Sequence, residues 1–188
     1  MRIIKDVEPV FEADKYDVAL IGTSVYDILS SGFQGKMANR YPHIAEANHK
    51  QPYGDLRRIG TRLTLNKEGC PTISLLYICG YPKKGLKTLN YDALEKCLLT
   101  SAAEFKGKRI ITTIMGSTVF DGEGNKRKIL RMMEKAFEGM DVDVYDYKQR
   151  NVIEERREKQ KQMDVIGFKD KTKRKEILKK LFLIPNNG

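Results

Sequence analysis

"ITTIMGSTVFDGEGNKRKIL", residues 110–129, begins as an apolar run and ends as a lysine-rich pattern with helical spacing. Between the two halves stand Gly116, Ser117, Thr118, Gly122 and Gly124. A chain that passes from buried strand to helix through such small residues does so for one of two reasons. Either the turn is plain connection, or its backbone lets something approach closely, and a phosphate is the usual visitor at a helix start.

Downstream of this turn, Ile129, Met133, Ala136 and Phe137 make the apolar stripe of a helix predicted over Asn125–Phe137. Gly139 closes it, and Val142–Tyr147 alternates as a last strand. Upstream, Arg109–Ile114 reads as a strand. Before it, Tyr91, Leu94, Leu98, Ala102 and Phe105 recur at three- and four-residue steps behind an N-cap at Asn90, and Gly107 ends that helix. Ile59–Leu65 and Thr72–Ile78 read as two strands joined by a turn at Lys67-Glu68-Gly69. Val18–Ile21 is a short buried strand, Gly32–Tyr41 a helix stopped by Pro42, and HIAEANHK (43–50) a polar stretch. Strands separated by helices predict an α/β fold with three α/β/α layers around a mixed or mainly parallel sheet.

After Tyr147 the character changes. Residues 150–163 are almost wholly charged, and 172–183 carry Ile177, Leu178, Leu181 and Phe182 on a narrow stripe. The 188 residues thus divide into a domain over 1–147 and a basic helical extension over 148–188. Of the net charge of +10, the extension holds +7, from thirteen Lys/Arg against six Asp/Glu, so the basicity says little about the main domain. Nucleic acid bound through this extension is one reading of its charge; docking of the apolar stripe is the other.

Three cysteines without a CxxC pattern, no leader-like amino terminus and no apolar run of membrane-spanning length point to a cytoplasmic location. Metal binding has no ligand cluster behind it. His43 and His49 are the only histidines, and no Ser/His/Asp arrangement supports them.

Two strand-to-helix turns hold the candidate chemistry: residues 21–42 and the stretch quoted above. On one sheet edge they would form a two-sided cradle for a diphosphate. Neither is a Walker A or a GxGxxG word. Asp121 in the second turn is either ordinary Asp-Gly turn chemistry or a carboxylate able to bind a ribose or activate water. Asp27 reads as a cap or surface residue. Tyr26, Phe33 and Tyr81 are either loop anchors or stacking surfaces, and Lys83-Lys84 either solvated surface or a reach toward phosphate.

Taken together, these segments resemble the macro domain, an α/β/α fold that binds ADP-ribose, over about residues 5–147. "SSGFQGKMANRYP" (30–42) is similar to the family's first phosphate loop and helix, and "TIMGSTVFDGEGNKRKILRMMEKAF" (113–137) to the second. "YGDLRRIGTRLTL" (53–65) and "LNYDALEKCL" (89–98) resemble the stretches around the central strands. The nearest branch in appearance contains the terminal ADP-ribose protein glycohydrolase. Where many members carry Asn-Ala-Ala-Asn, this chain has Gly22-Thr23-Ser24. The resemblance implies ligand contacts from Glu8 to the adenine amino group and from Gly22 and Thr23 at the strand end. It implies others from Ser31, Gly32 and Phe33 in the first loop, and from Gly116, Ser117, Thr118, Val119 and Phe120 in the second. Phe33 or Tyr81 would flank a ring. Asp121 matches the glycohydrolase carboxylate across one inserted residue, while the branch's lysine falls nearer Gly80 than Lys83. The resemblance therefore implies binding of ADP-ribose or a related NAD-derived nucleotide, without a cofactor. An ADP-ribosyl hydrolase using Asp121, acting on ADP-ribosylated macromolecules, is the alternative.

Overall fold

A computed structural model describes residues 1–146, apart from 6, 28, 30, 31, 82, 84 and 119–121. The helices expected at 150–163 and 172–183 lie outside the described residues, as does Tyr147.

Strand β2 (Val18–Ser24) is buried along its whole length, which only a strand covered on both faces can be. It pairs in parallel with β4 (Thr72–Cys79) on one side and β5 (Ile110–Thr113) on the other. Beyond β5 come β6 (Val142–Asp146) and β1 (Arg2–Lys5), both parallel; beyond β4 comes the antiparallel β3 (Arg62–Leu65). The sheet is mixed, six strands wide, in the order β1-β6-β5-β2-β4-β3.

Side-chain alternation divides β2 between two cores. Val18 and Leu20, with Leu76 and Ile78 of β4, face Leu94, Cys97 and Leu98 of α3 (Tyr91–Glu104) and Ile129 and Met133 of α4 (Lys126–Ala136). Ala19 and Ile21, with Ile73 and Leu75, face Phe33 and Met37 of α1 (Gly32–Arg40) and Ile44 of α2 (His43–His49). These are the three layers expected. Both asparagine caps form: Asn90 accepts from the N–H of Ala93 at 2.9 Å and Asn125 from that of Lys128 at 3.0 Å.

Three local expectations need correction. The polar stretch 43–50 is mostly helix α2, whose buried face is carried by Ile44 and Asn48. The strand expected from Ile59 starts only at Arg62, because Gly60 takes φ +84° and a single 3-10 turn, Leu56–Arg58, precedes it. Strand β1 has no counterpart in the sequence reading.

A buried carboxylate ties β1 to the sheet. Asp143 of β6 is 4 % exposed and takes Arg2 Nε at 2.6 Å and Arg2 Nη2 at 3.0 Å. The Tyr16 hydroxyl donates to the same carboxylate at 2.7 Å. Burial pushes the Asp143 carboxyl up, but the Arg2 and Tyr16 hydrogen bonds and the Arg2 charge outweigh it and hold it below its ordinary 3.8. A depressed folded pKa means stability that is full above the unfolded value and lost as pH falls through the folded one. Asp143→Asn should cost about 2 kcal/mol at pH 7. In denaturant melts the gap to wild type should narrow below pH 3.8; a gap independent of pH would disprove the linkage.

Candidate functional site

The parallel strands deliver Ser24, Cys79 and Thr113 to one sheet edge, where the connections 25–31, 80–90 and 114–125 leave. This carboxyl edge is where open α/β sheets collect ligands.

The first side of the edge is built by β2 and α1. Gly22 is packed rather than open, since an added Cβ would meet Met115 Cβ at 2.7 Å and Ile78 Cδ1 at 2.8 Å. Ser24 is fully satisfied: its hydroxyl donates to the Gly80 carbonyl at 2.6 Å and accepts the Tyr26 N–H at 3.1 Å. Thr23 is fully buried, and its Oγ1 has no hydrogen-bond partner. Gly32 opens α1 at φ +64°. Phe33, 6 % exposed, sits in the core under α1 and so anchors the helix start. Glu8 is half-buried before the short 3-10 turn Pro9–Phe11; one carboxylate oxygen pairs with Lys36 of α1, and the other is buried without a partner. Ser31 lies outside the described residues.

The second side answers the question raised by the quoted stretch. Its glycines close around a single side chain of the neighbouring connection, Leu89. A Cβ on Gly116 would come within 2.8 Å of Leu89 Cδ1, and one on Gly124 within 2.2 Å of Leu89 Cδ2. At Gly122 the clash is with backbone: 2.6 Å to the Leu89 nitrogen. The loop then locks itself. Gly124 N–H donates to the Gly116 carbonyl at 2.7 Å, Gly122 and Glu123 N–H donate to the Thr118 carbonyl, and the Ser117 hydroxyl donates to the Ile114 carbonyl at 2.6 Å. The Gly122 carbonyl accepts from Thr88 and Leu89, stitching the two connections together. The small residues are thus required by a protein side chain on the inner side. Val119, Phe120 and Asp121 lie outside the described residues.

A third group was not legible as a unit. Asp27 holds φ +54°, unusual for a residue with a side chain. Its two carboxylate oxygens are taken by Asn48 Nδ2 and, at 2.7 Å, by His49 Nδ1, both from α2. Asn48 Oδ1 accepts from the Tyr77 hydroxyl of β4 at 2.6 Å. Burial pushes that phenol up to about 12, so it remains a donor at neutral pH. The Arg58 guanidinium lies 3.9 Å from the Tyr77 ring centroid. Above this network Tyr26 meets Tyr53 and Tyr81 edge-to-face, at centroid distances of 5.4 and 5.3 Å. Tyr53 and Tyr81 are exposed, which makes the end of β2 and β4 an aromatic surface. Asp27 is therefore a network residue rather than a simple cap, and His49 belongs to it.

A cleft of about 600 Å³ lies elsewhere, against Val18 and Thr72 at the amino ends of β2 and β4, with Asp17, Cys70, Glu104 and Lys108 in its wall. It is at the wrong end of the strands for a ligand held by helix amino termini. Among the described residues no group of His, Cys, Asp or Glu is arranged to hold a metal, and no helix is long and apolar enough to cross a membrane.

No protein-family model matches the chain, and no curated protein matches it in sequence. Solved structures match it in three dimensions. The macrodomain of Mycobacterium tuberculosis DarG is 14% identical with a TM-score of 0.60, covering 77% of this chain and 97% of that one. Thermosipho africanus DarTG, solved in complex with ADP-ribose, is 9% identical with a TM-score of 0.60, covering 80% of this chain and 42% of that one. The Trypanosoma brucei macrodomain, also solved in complex with ADP-ribose, is 17% identical with a TM-score of 0.53, covering 77% and 63%. The chain has the macrodomain fold.

The packing around Leu89 is testable directly. Gly122→Ala adds a methyl 2.6 Å from backbone at a φ of +122°, and should destabilise by about 3 kcal/mol or more in chemical denaturation. Gly69→Ala is the control: that glycine also has positive φ, but nothing lies within 4 Å. Equal losses at both positions would show that backbone strain alone, and not Leu89, demands the glycine.

Proposed function

We propose that the chain binds ADP-ribose or a related NAD-derived nucleotide at the carboxyl edge of its sheet. The observation that carries this reading is the convergence of α1's amino end and the 114–125 loop on that edge, in a fold whose neighbours are solved with ADP-ribose. In this proposal the backbone at Gly32–Phe33 and the Gly116–Thr118 segment, with Ser31, Val119 and Phe120 beside them, flank the diphosphate. The unpartnered oxygen of Glu8 takes the adenine amino group. Gly22 and Thr23 form the floor at the strand end, and exposed Tyr81 flanks a ring. Phe33 positions the helix start from within the core.

Hydrolysis is the second reading. It rests on Asp121, the carboxylate that the resemblance to the glycohydrolase branch singles out. An ADP-ribosylated macromolecule would be the substrate, the carboxylate activating water or orienting the ribose. The basic extension from 148 onward is proposed as a separate docking or nucleic-acid-binding element, distinguishable by its salt response.

Binding is tested by melting the full chain with ADP-ribose. A ligand at a hundredfold excess over Kd stabilises the folded state by about 2.7 kcal/mol. Glu8→Ala should weaken affinity roughly tenfold, the loss of one hydrogen bond to a charged group. Gly116 is unsuitable as a probe, because a side chain there would collide with Leu89. A melting curve unmoved by millimolar ADP-ribose, ADP and NAD alike would overturn the proposal. For hydrolysis, Asp121→Ala should abolish release of ADP-ribose from a modified protein while keeping affinity; no release by wild type would leave a binding protein only.

A further inference from the structure

Helix α4 carries more positive charge than the whole domain around it. The chain's +10 less the +7 of its extension leaves +3 for residues 1–147. Within them α4 alone holds +4, from Lys126, Arg127, Lys128, Arg131 and Lys135 against Glu134. The rest of the domain is thus slightly acidic, and its net positive charge belongs to one helix. Two of the five cations are used inside the fold. Lys126 pairs with Asp146 of β6 at 2.6 Å, and Lys128 Nζ lies 3.9 Å from the Tyr91 ring centroid. Arg127, Arg131 and Lys135 are exposed and make no side-chain hydrogen bond or ion pair among the described residues.

These three stand at i, i+4 and i+8, so they form one row along the helix, about 12 Å long at a rise of about 1.5 Å per residue. Ile129 and Met133, buried in the core, fix the inner face of α4. At about 100° per residue the row falls on the face turned away from them. Like charges at i, i+4 repel and weaken a helix. The nearest carboxylates in sequence, Glu134 and Glu138, form no ion pair with the row. The fold therefore gains nothing from this arrangement, and its complement is an anion outside the domain.

The surroundings of the row decide which anion. A helix that lies on a membrane sinks its apolar face among the lipids, and the apolar face of α4 is already spent in the core. A protein partner needs aromatic or aliphatic anchors at the centre of its interface. None of the exposed large hydrophobics of the described chain, such as Phe11, Tyr53 and Leu99, lies on α4. Single-stranded nucleic acid is held by stacking on aromatic rings, which the row also lacks. A duplex asks for none of these. Each of its strands carries a phosphate about every 3.4 Å of axis, so the row spans roughly three or four of them. Arginine's planar fork suits phosphate oxygens. We propose that Arg127, Arg131 and Lys135 are a docking surface for the phosphate backbone of a nucleic-acid duplex, held without regard to its sequence. This surface belongs to the main domain and is independent of the nucleotide-binding reading.

The test is fluorescence anisotropy of the full chain with a short labelled DNA duplex of mixed sequence, between about 50 and 200 mM salt. The triple variant Arg127→Gln, Arg131→Gln, Lys135→Gln should bind at least about tenfold more weakly at the low-salt end. Its slope of log affinity against log salt should be shallower by about 2.7, the share of three phosphate contacts. Its melting temperature should match or slightly exceed that of wild type, because repulsion within the row is gone. A charge-matched set of exposed lysines elsewhere, Lys50→Gln, Lys67→Gln, Lys106→Gln, is the control; it should stay within about twofold of wild type. Equal losses in the two sets would mean that net charge alone is read, and would overturn the proposal. An α4 variant that binds the duplex like wild type overturns it too, whether the extension holds the duplex or nothing does. So does one that keeps the duplex but loses binding to phosphatidylserine vesicles, or one that loses a single strand and not the duplex. The melting shift given by ADP-ribose should be the same in every variant, so failure of this proposal and failure of the nucleotide-binding reading are read separately.

Discussion

Everything in this domain hangs on β2 being buried on both faces. A parallel strand in the middle of a sheet must present apolar residues to two cores at once, and Val18–Ile21 does so. Its last three residues are different: Gly22, Thr23 and Ser24 are just as buried but give up apolar bulk. At Gly22 the reason is steric, for Met115 and Ile78 occupy the space of a side chain. At Ser24 it is connective, the hydroxyl bridging Gly80 and Tyr26 where the β2–β4 register shifts. Thr23 has neither reason. The strand that organises the core is thus also the strand that delivers an unanswered polar atom to the edge.

Leu89 performs the matching task on the other side. It sits between β4 and α3, yet its side chain fills the hollow left by Gly116 and Gly124, and its backbone is bonded to Gly122. A loop with three glycines would ordinarily be floppy, because glycine loses the most conformational freedom on ordering. Here buried contact with one leucine and a set of short backbone bonds offset that loss. Small residues in a turn and close approach are indeed linked, as the sequence suggests, but on the inner side the close approach is by the protein to itself.

What was legible in the sequence followed from strong local signals. Helices α3 and α4 carry both an apolar stripe and an asparagine cap, so periodicity and capping agreed. The buried strands β2, β4 and β5 were visible as apolar runs. Strand β1 was not, because Arg-Ile-Ile-Lys has only two apolar residues and is held at the sheet edge by Asp143, more than a hundred residues away. Helix α2 is short and mostly polar outside, so its buried Ile44 and Asn48 gave no period. The Asp27, Asn48, His49 and Tyr77 network was invisible for a topological reason: its members come from a loop, a helix and a strand that only the β2–α1–α2–β4 path brings together. Asn48 and Gln34 had one faint signal in common, a carboxamide set within a helix whose other buried residues are mainly apolar.

The two sides of the edge are therefore built differently. On the side of Leu89, the glycines are packed against protein, and the Gly122, Glu123 and Gly124 N–H groups and the Ser117 hydroxyl find partners within the loop, while the buried Thr88 hydroxyl does not. On the side of α1, Glu8, Thr23 and Gln34 all keep buried polar atoms without one. Rigid, satisfied backbone makes a good wall, since it costs no further ordering when a ligand arrives. Unsatisfied polar groups make a poor wall but a selective one, because a ligand that answers them recovers a desolvation penalty already incurred in folding, and a ligand that does not recovers nothing. Under the proposed nucleotide binding, the satisfied backbone around Leu89 would form the wall of the site, and the unanswered polar atoms on the β2–α1 side would be the groups left for a ligand to meet.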